Sequence, residues 1–213
     1  MKIIISPAKK IDNSKNENNI DFSNSFFLDE ARELVEILQD FSPTELSKLM
    51  GISNNLGLLN ADRYINWSLP FNQGNAKQAI LTFKGDVYQG IAMDDFDKED
   101  FDFAQKNLRI LSGLYGILKP LDLIQAYRLE MGTKLKTDKG NNLYYFWGDS
   151  LTEYMTKEIV RDRDTCLVNL ASNEYSKALN FKKLGIPIIT PVFKDFRNGK
   201  LKIISFFAKK ARG

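Results

Sequence analysis

Apolar and polar positions along the chain change period several times, and each change predicts an element. Residues 2 to 6 form a short apolar run ending at Pro7, which predicts a buried opening strand. That strand would deliver Ser6, Pro7, Ala8, Lys9 and Lys10 to its end. Residues 12 to 25 are rich in Asn, Ser and Asp with no periodicity and predict a loop. Ala31, Leu34, Val35 and Leu38 then recur at helical spacing within 30 to 38. Ser42, Pro43 and Glu45 combine an N-cap, a first-turn proline and a capping-box acid, so a helix starts there. It runs to about Met50, breaks at Gly51-Ile52-Ser53, and a second helical pattern follows through Leu56, Leu59, Ala61 and Tyr64.

Further on, residues 79 to 83 predict a strand, and Asp97 with Asp100 caps a helix through Phe101, Ala104, Leu108 and Leu111. Residues 112 to 142 carry glycines and little period, and 149 to 160 predict another helix. The last third reads strand over 166 to 170, helix over 173 to 182 and strand over 186 to 193. A final strand over 200 to 207 follows an Asn198-Gly199 turn signal. Neither a repeat nor a linker interrupts this order. It predicts one domain over residues 1–213.

Composition narrows the chemistry. With 43% hydrophobic, 27% charged and 12% aromatic residues the chain has an ordinary globular balance. No apolar run approaches the roughly 20 residues a membrane helix needs, and the opening run is too short for a signal peptide, so a cytoplasmic protein with no membrane partner is expected. Histidine is absent and Cys166 stands alone, which excludes zinc fingers, iron–sulfur clusters and histidine-ligated haem. The expectation is no cofactor, no metal cluster and no peroxidase or metalloenzyme chemistry. Cys166 reads as a buried strand thiol, with a redox cysteine as the alternative. Net charge is only +3, but it is segregated: residues 94 to 102 hold six acids and one lysine, and residues 194 to 213 seven bases and one acid. The acidic run lacks the glycine and oxygen spacing of a calcium loop and reads as a solvated helix start.

Four constellations could carry function. The helical pair over 42–67 resembles a helix-hairpin-helix, whose tight turn presents backbone N–H groups to a phosphate. Here the second hairpin glycine is replaced by Ser53, and Lys48 and Arg63 lie near the turn. The other reading of the pair is an αα-hairpin packed into the core. The basic end, Lys209, Lys210 and Arg212, either lines a groove for a polyanion or is a solvated tail. Polar groups at strand ends and glycine turns form the third set: Ser112, Tyr115, Arg128, Glu130, Lys134, Asn169, Ser172, Glu174, Tyr175 and Lys194. Arg128 and Glu130 could equally be a structural ion pair. Ser112 has no histidine to activate it. The fourth is the acidic run already described.

Ser6-Pro7-Ala8-Lys9, Leu111-Ser112-Gly113-Leu114-Tyr115-Gly116, Tyr127-Arg128-Leu129-Glu130-Met131-Gly132, Tyr145-Phe146-Trp147-Gly148, Asn169-Leu170-Ala171-Ser172-Asn173-Glu174-Tyr175 and the segment 205 to 213 together resemble the YaaA-type peroxide-stress family over the whole chain. The resemblance implies a single mixed α+β domain with a positively charged cleft and a helix-hairpin-helix element that binds double-stranded or distorted DNA. It also implies resistance to hydrogen peroxide, linked to less unincorporated iron, with no established reaction. Family members continue into further helical sequence, so a C-terminal truncation is expected.

Three functional expectations follow. The leading one is largely sequence-independent DNA binding, with Lys9, Lys48, Gly51, Ile52, Ser53, Arg63, Lys209, Lys210 and Arg212 toward phosphates and Ser6, Lys10, Tyr115, Arg128, Lys134, Asn169, Ser172, Tyr175 and Lys194 in the cleft. The second is an enzyme on nucleic acid or a nucleotide, with Glu130, Glu174 or Ser112 as catalytic candidates. The third is an adaptor for another stress protein, which would expose an apolar patch.

Overall fold

A computed structural model describes residues 1–12, 14, 20–197 and 199–213. Its centre is a five-stranded sheet built from β1 (Lys2–Ile5), β2 (Leu108–Ser112), β3 (Gly116–Leu118), β4 (Leu167–Asn169) and β5 (Ile188–Ile189), in the order β5-β4-β1-β2-β3. The first four in that order run parallel, and β3 turns back antiparallel to β2. β1 is central, with Ile4 opposite Arg109 on one side and Asn169 on the other. A parallel sheet covered on both faces needs continuous apolar strands, which is what residues 3 to 5 and 110 to 111 supply. The α+β expectation therefore holds, with further short strands gathered in small separate sheets and not in one sheet.

Helices cover the sheet through the stripes that their periodicity set. Leu28–Gln39 buries Ala31, Leu34, Val35 and Leu38, each of the larger ones contributing about 1.5–3 kcal/mol on removal from water. Pro43–Met50 starts at the capping box between Ser42 and Glu45, and Asn54–Ile65 starts at Ser53, whose Oγ accepts from the Leu56 amide. The two pack backbone against backbone, since a Cβ on Gly57 would fall 2.4 Å from the Pro43 carbonyl oxygen. Lys98–Asn107 carries the expected Asp97 and Asp100 capping box.

Several elements differ from the pattern-based expectation. Leu108 and Leu111 belong to β2 and not to the preceding helix, which ends at Asn107. Residues Ala79–Thr82 form a helical turn, with strand only at Phe83–Lys84. The helix expected over 173 to 182 is the single turn Asn173–Ser176, and the strand expected over 186 to 193 is only Ile188–Ile189. The final strand is short as well. Asp195–Arg197 pairs antiparallel with Lys200–Lys202, and Ser205–Lys210 is a helix. There Ala208 is buried on the Asp86–Ile91 helix, so tertiary packing overrides the β-propensity of Phe206 and Phe207. Asn198 of the turn signal and residues 13 and 15–19 of the loop lie outside the described residues.

The end of the sheet where the parallel strands begin is a buried ionic network that periodicity did not reveal. Lys2 is fully buried and donates to the Lys106 carbonyl at 2.7 Å and the Asp162 carboxylate at 2.5 Å. Arg109, 1% exposed, makes a two-pronged pair with Glu158 at 2.6 and 2.9 Å and donates to the Gln105 and Leu108 carbonyls. Burial works to raise the Glu158 pKa, but the Arg109 hydrogen bond and charge hold it below the usual carboxylate value. Among the described residues no helix is long and apolar enough to cross a membrane.

Candidate functional site

The opposite end of the same strands opens into a cleft of about 470 Å³. Ligand clefts in open parallel sheets form at the carboxyl ends of strands, where the loops diverge. β1 delivers Ser6, Pro7, Ala8 and Lys9 to it, and β4 delivers Leu170, Ser172, Glu174 and Tyr175. The two loops are tied together: the Ser172 amide donates to Ser6 Oγ at 2.9 Å, and the Tyr88 hydroxyl donates to the Ser6 carbonyl at 3.2 Å.

The segment Tyr127 to Glu130 forms the third wall. Its position depends on Gly113, where a Cβ would fall 2.2 Å from the Leu129 carbonyl oxygen, so only glycine lets the β2–β3 turn approach that closely. The Tyr64 hydroxyl donates to the Arg128 carbonyl at 2.5 Å and fastens this wall to the Asn54–Ile65 helix. The fourth wall is Lys84 to Tyr88 with the C-terminal residues Lys209 and Arg212. Here a Cβ on Gly90 would fall 2.2 Å from the Lys210 carbonyl oxygen, so close backbone packing holds the basic end at the cleft rim.

Six cations line the cleft, Lys9, Lys10, Lys84, Arg128, Lys209 and Arg212, against the carboxylates of Asp86, Glu130 and Glu174. Glu130 sits between two of them, 2.7 Å from Lys9 Nζ and 3.0 Å from Arg128 Nη2. Glu174 accepts from the Gly132 amide at 2.9 Å. Lys10, Lys209 and Arg212 have no carboxylate within ion-pair distance among the described residues. The positive field there is uncompensated. Arg128 Nε is buried with no hydrogen-bond partner among those residues, so its guanidinium fork is incompletely satisfied. Tyr88, Tyr127 and Tyr175 form the floor, and burial pushes all three hydroxyls above their ordinary pKa, keeping them neutral.

The cleft thus gathers Ser6, Lys9, Lys10, Arg128, Glu130, Ser172, Glu174, Tyr175, Lys209 and Arg212 from the residues singled out in the sequence. Others lie elsewhere. Ser112 and Tyr115 are fully buried: Ser112 Oγ is 2.7 Å from the Tyr127 hydroxyl and accepts from the Tyr115 amide, and both belong to the core. Asn169 ends β4, where its side chain accepts from the Ala171 amide at 3.1 Å. Lys134, Lys194 and Lys210 are exposed and do not line the cleft. Lys48, Gly51, Ile52 and Ser53 lie at the hairpin turn, with Gly51 in the left-handed cap at φ 61°. Arg63 is beside the cleft wall, where burial and the neighbouring Arg128 charge lower its pKa. The sequence reading missed Lys84, Asp86 and Tyr88, although Lys84-Gly85-Asp86, a glycine turn between charges straight after an apolar run, was the available signal.

These features define a class: an α+β domain that presents a cationic, tyrosine-floored cleft at the carboxyl ends of its parallel strands. The family model described as peroxide stress protein YaaA matches residues 1–213. The chain is 54% identical over 213 residues to a UPF0246 protein of Teredinibacter turnerae, and 53% identical to UPF0246 proteins of Hahella chejuensis and Colwellia psychrerythraea. Each match covers all of this chain and 83% of the relative. The chain belongs to the peroxide stress protein YaaA family, and its role lies in peroxide stress.

Proposed function

We propose that the protein serves in the peroxide response by binding DNA through its phosphate backbone, with the cleft rim as the main contact surface. The observation that carries this reading is the uncompensated charge of Lys10, Lys209 and Arg212 around a concave site that Lys9, Lys84 and Arg128 also line. Clustered lysine and arginine on one concave face is the electrostatic footprint of phosphate binding and carries no base preference. The hairpin turn adds a second contact. It precedes a 12-residue helix in which the Leu56 amide is capped by Ser53 Oγ, while the amides of Asn54 and Asn55 before it have no carbonyl one turn back within the helix, a favourable place for an anion. Tyr64 of that helix touches the cleft wall, and Ser53 lies eleven residues earlier, about 16 Å along the axis.

The test is the double variant Lys209→Glu with Arg212→Glu, titrated against a fluorescent duplex by anisotropy at low salt. At least about tenfold weaker binding, uniform across sequences, is expected for losing two phosphate contacts and gaining two repulsive charges. Unchanged affinity would overturn the cleft as the contact surface. A second reading, an enzyme acting on nucleic acid or a nucleotide, is favoured by one observation: Glu130 and Glu174 converge in the same cleft as Lys9 and Arg128. Glu130→Gln would then abolish turnover of nucleotide or DNA without weakening duplex binding, a split that pure binding does not produce.

A further inference from the structure

Phosphate contact explains the rim of the cleft but not its interior. The floor is Tyr88, Tyr127 and Tyr175, and Ala8, Leu129 and Leu170 also line the cleft, an aromatic and aliphatic surface that carries no positive charge for a phosphate. A volume of about 470 Å³ is in the range of small-molecule clefts. It cannot admit a duplex, whose phosphates would meet only the cations at the mouth. Aromatic and aliphatic walls beneath a ring of lysine and arginine match a ligand with an anionic end and a flat apolar end. Arg128 also lines the cleft, and its buried Nε has no hydrogen-bond partner among the described residues, so the guanidinium keeps donor capacity for a ligand. Glu130 and Glu174, which also line the cleft, supply carboxylate acceptors suited to the exocyclic amino group or the sugar hydroxyl of a nucleoside.

We propose that the interior of the cleft is a binding site for one nucleotide unit, its phosphate on Lys9, Arg128 and the rim cations and its base against the tyrosine floor. This rests on the phosphate-binding reading and extends it inward. The unit can be a free nucleotide or a single unpaired nucleotide of a strand held at the rim, since aromatic side chains accept either without reading sequence.

The experiment uses the full chain and two probes. Titration calorimetry with 2′-deoxyadenosine 5′-monophosphate, with inorganic phosphate as reference, tests the free nucleotide. Anisotropy with a duplex carrying one bulged adenosine, against the same duplex fully paired, tests the strand-borne unit. Saturable binding of the nucleotide about tenfold or more tighter than phosphate, or a preference of that size for the bulge, is expected from one base–aromatic contact. Ala8→Phe, which fills the cleft without altering charge, should remove that difference while paired-duplex affinity stays within twofold. Leu170→Phe serves the same purpose if Ala8→Phe does not fold. The proposal is overturned if phosphate matches the nucleotide and bulged and paired duplexes bind alike, or if both folded variants keep the wild-type difference. If the paired duplex fails to bind at low salt while the nucleotide binds, the DNA reading fails and this site stands. The reverse result leaves the rim and removes the interior site.

Discussion

The two ends of the central parallel strands both gather charged side chains and use them oppositely. Where the strands begin, Lys2, Arg109, Glu158 and Asp162 are buried or nearly so, and each cation donates at hydrogen-bond distance to a carboxylate and to backbone carbonyls. Where they end, Lys9 and Lys84 are 65% and 44% exposed, and Lys10, Lys209 and Arg212 have no acid opposite them among the described residues. Buried charge tolerates no missing partner, because the remaining ion keeps its desolvation cost. Exposed excess charge costs the fold little and is available to an external anion. Charge alone therefore does not mark function in this molecule. Unmatched charge at a concave surface does.

The sharpest way to break the comparison is to remove one partner at each end. Glu158→Ala strands Arg109 and should destabilise the fold by about 3–5 kcal/mol in urea or thermal unfolding, leaving the DNA affinity of the folded protein unchanged. A loss below about 1 kcal/mol would mean that water or Asp162 replaces the carboxylate. Arg212→Glu, at the other end, should leave stability within about 0.5 kcal/mol and act on DNA binding alone. Glu130→Gln should cost the fold less than about 1 kcal/mol, since Glu130, Lys9 and Arg128 all retain solvent access.

Acid–base behaviour separates the ends as well. Asp122 lies in the electrostatic neighbourhood of Arg109 and Lys119, accepting from Ser23 Oγ at 2.6 Å and the Lys119 amide at 2.8 Å. Burial raises its pKa from 3.8 to about 6 despite those bonds. A carboxyl whose pKa is raised by folding takes up a proton on folding between those values, so its contribution to stability falls as pH rises from 3.8 to about 6. Asp122→Asn should gain on wild type progressively through that window and hold a constant difference above it, followed by unfolding at stepped pH. A difference independent of pH would place Asp122 in solvent. The smallest effect is expected for Lys48→Glu at the hairpin. It should weaken duplex binding by less than the cleft-rim variants, and a larger loss would move the main contact from the cleft to the turn.

Much of this arrangement was legible in the sequence where local chemistry decides structure. The Ser42 and Glu45 capping box, the Asp97 and Asp100 pair and the apolar stripe of residues 31 to 38 all report on their own turns. The opening strand ending at Pro7 correctly delivered Ser6 and Lys9 to a strand end. The whole-chain resemblance supplied the family. What stayed hidden depends on neighbours distant in the chain. A lysine at a strand start gives no sign that Asp162 will meet it, and Arg109 within an apolar run gives none of Glu158. Ser112 looked like a site residue because it follows a strand and precedes a glycine, but the tight β2–β3 turn points it at Tyr127 and the core. Residues 200 to 207 suit a strand by their aromatic and β-branched content, whereas contact with the Asp86–Ile91 helix makes Ser205–Lys210 helical and sets Lys209 and Arg212 at the rim.

The central claim, that unmatched cations at the strand ends hold a nucleic-acid backbone, is tested most directly by measuring duplex affinity from about 50 to 200 mM salt by anisotropy. With four rim contacts, from Lys10, Lys84, Lys209 and Arg212, the logarithm of the association constant should fall against the logarithm of salt with a slope of about −3.6, from about −0.9 per phosphate contact. Lys209→Glu with Arg212→Glu should bring that slope to about −1.8. A wild-type slope near zero, or a slope that the double variant leaves untouched, would contradict the account.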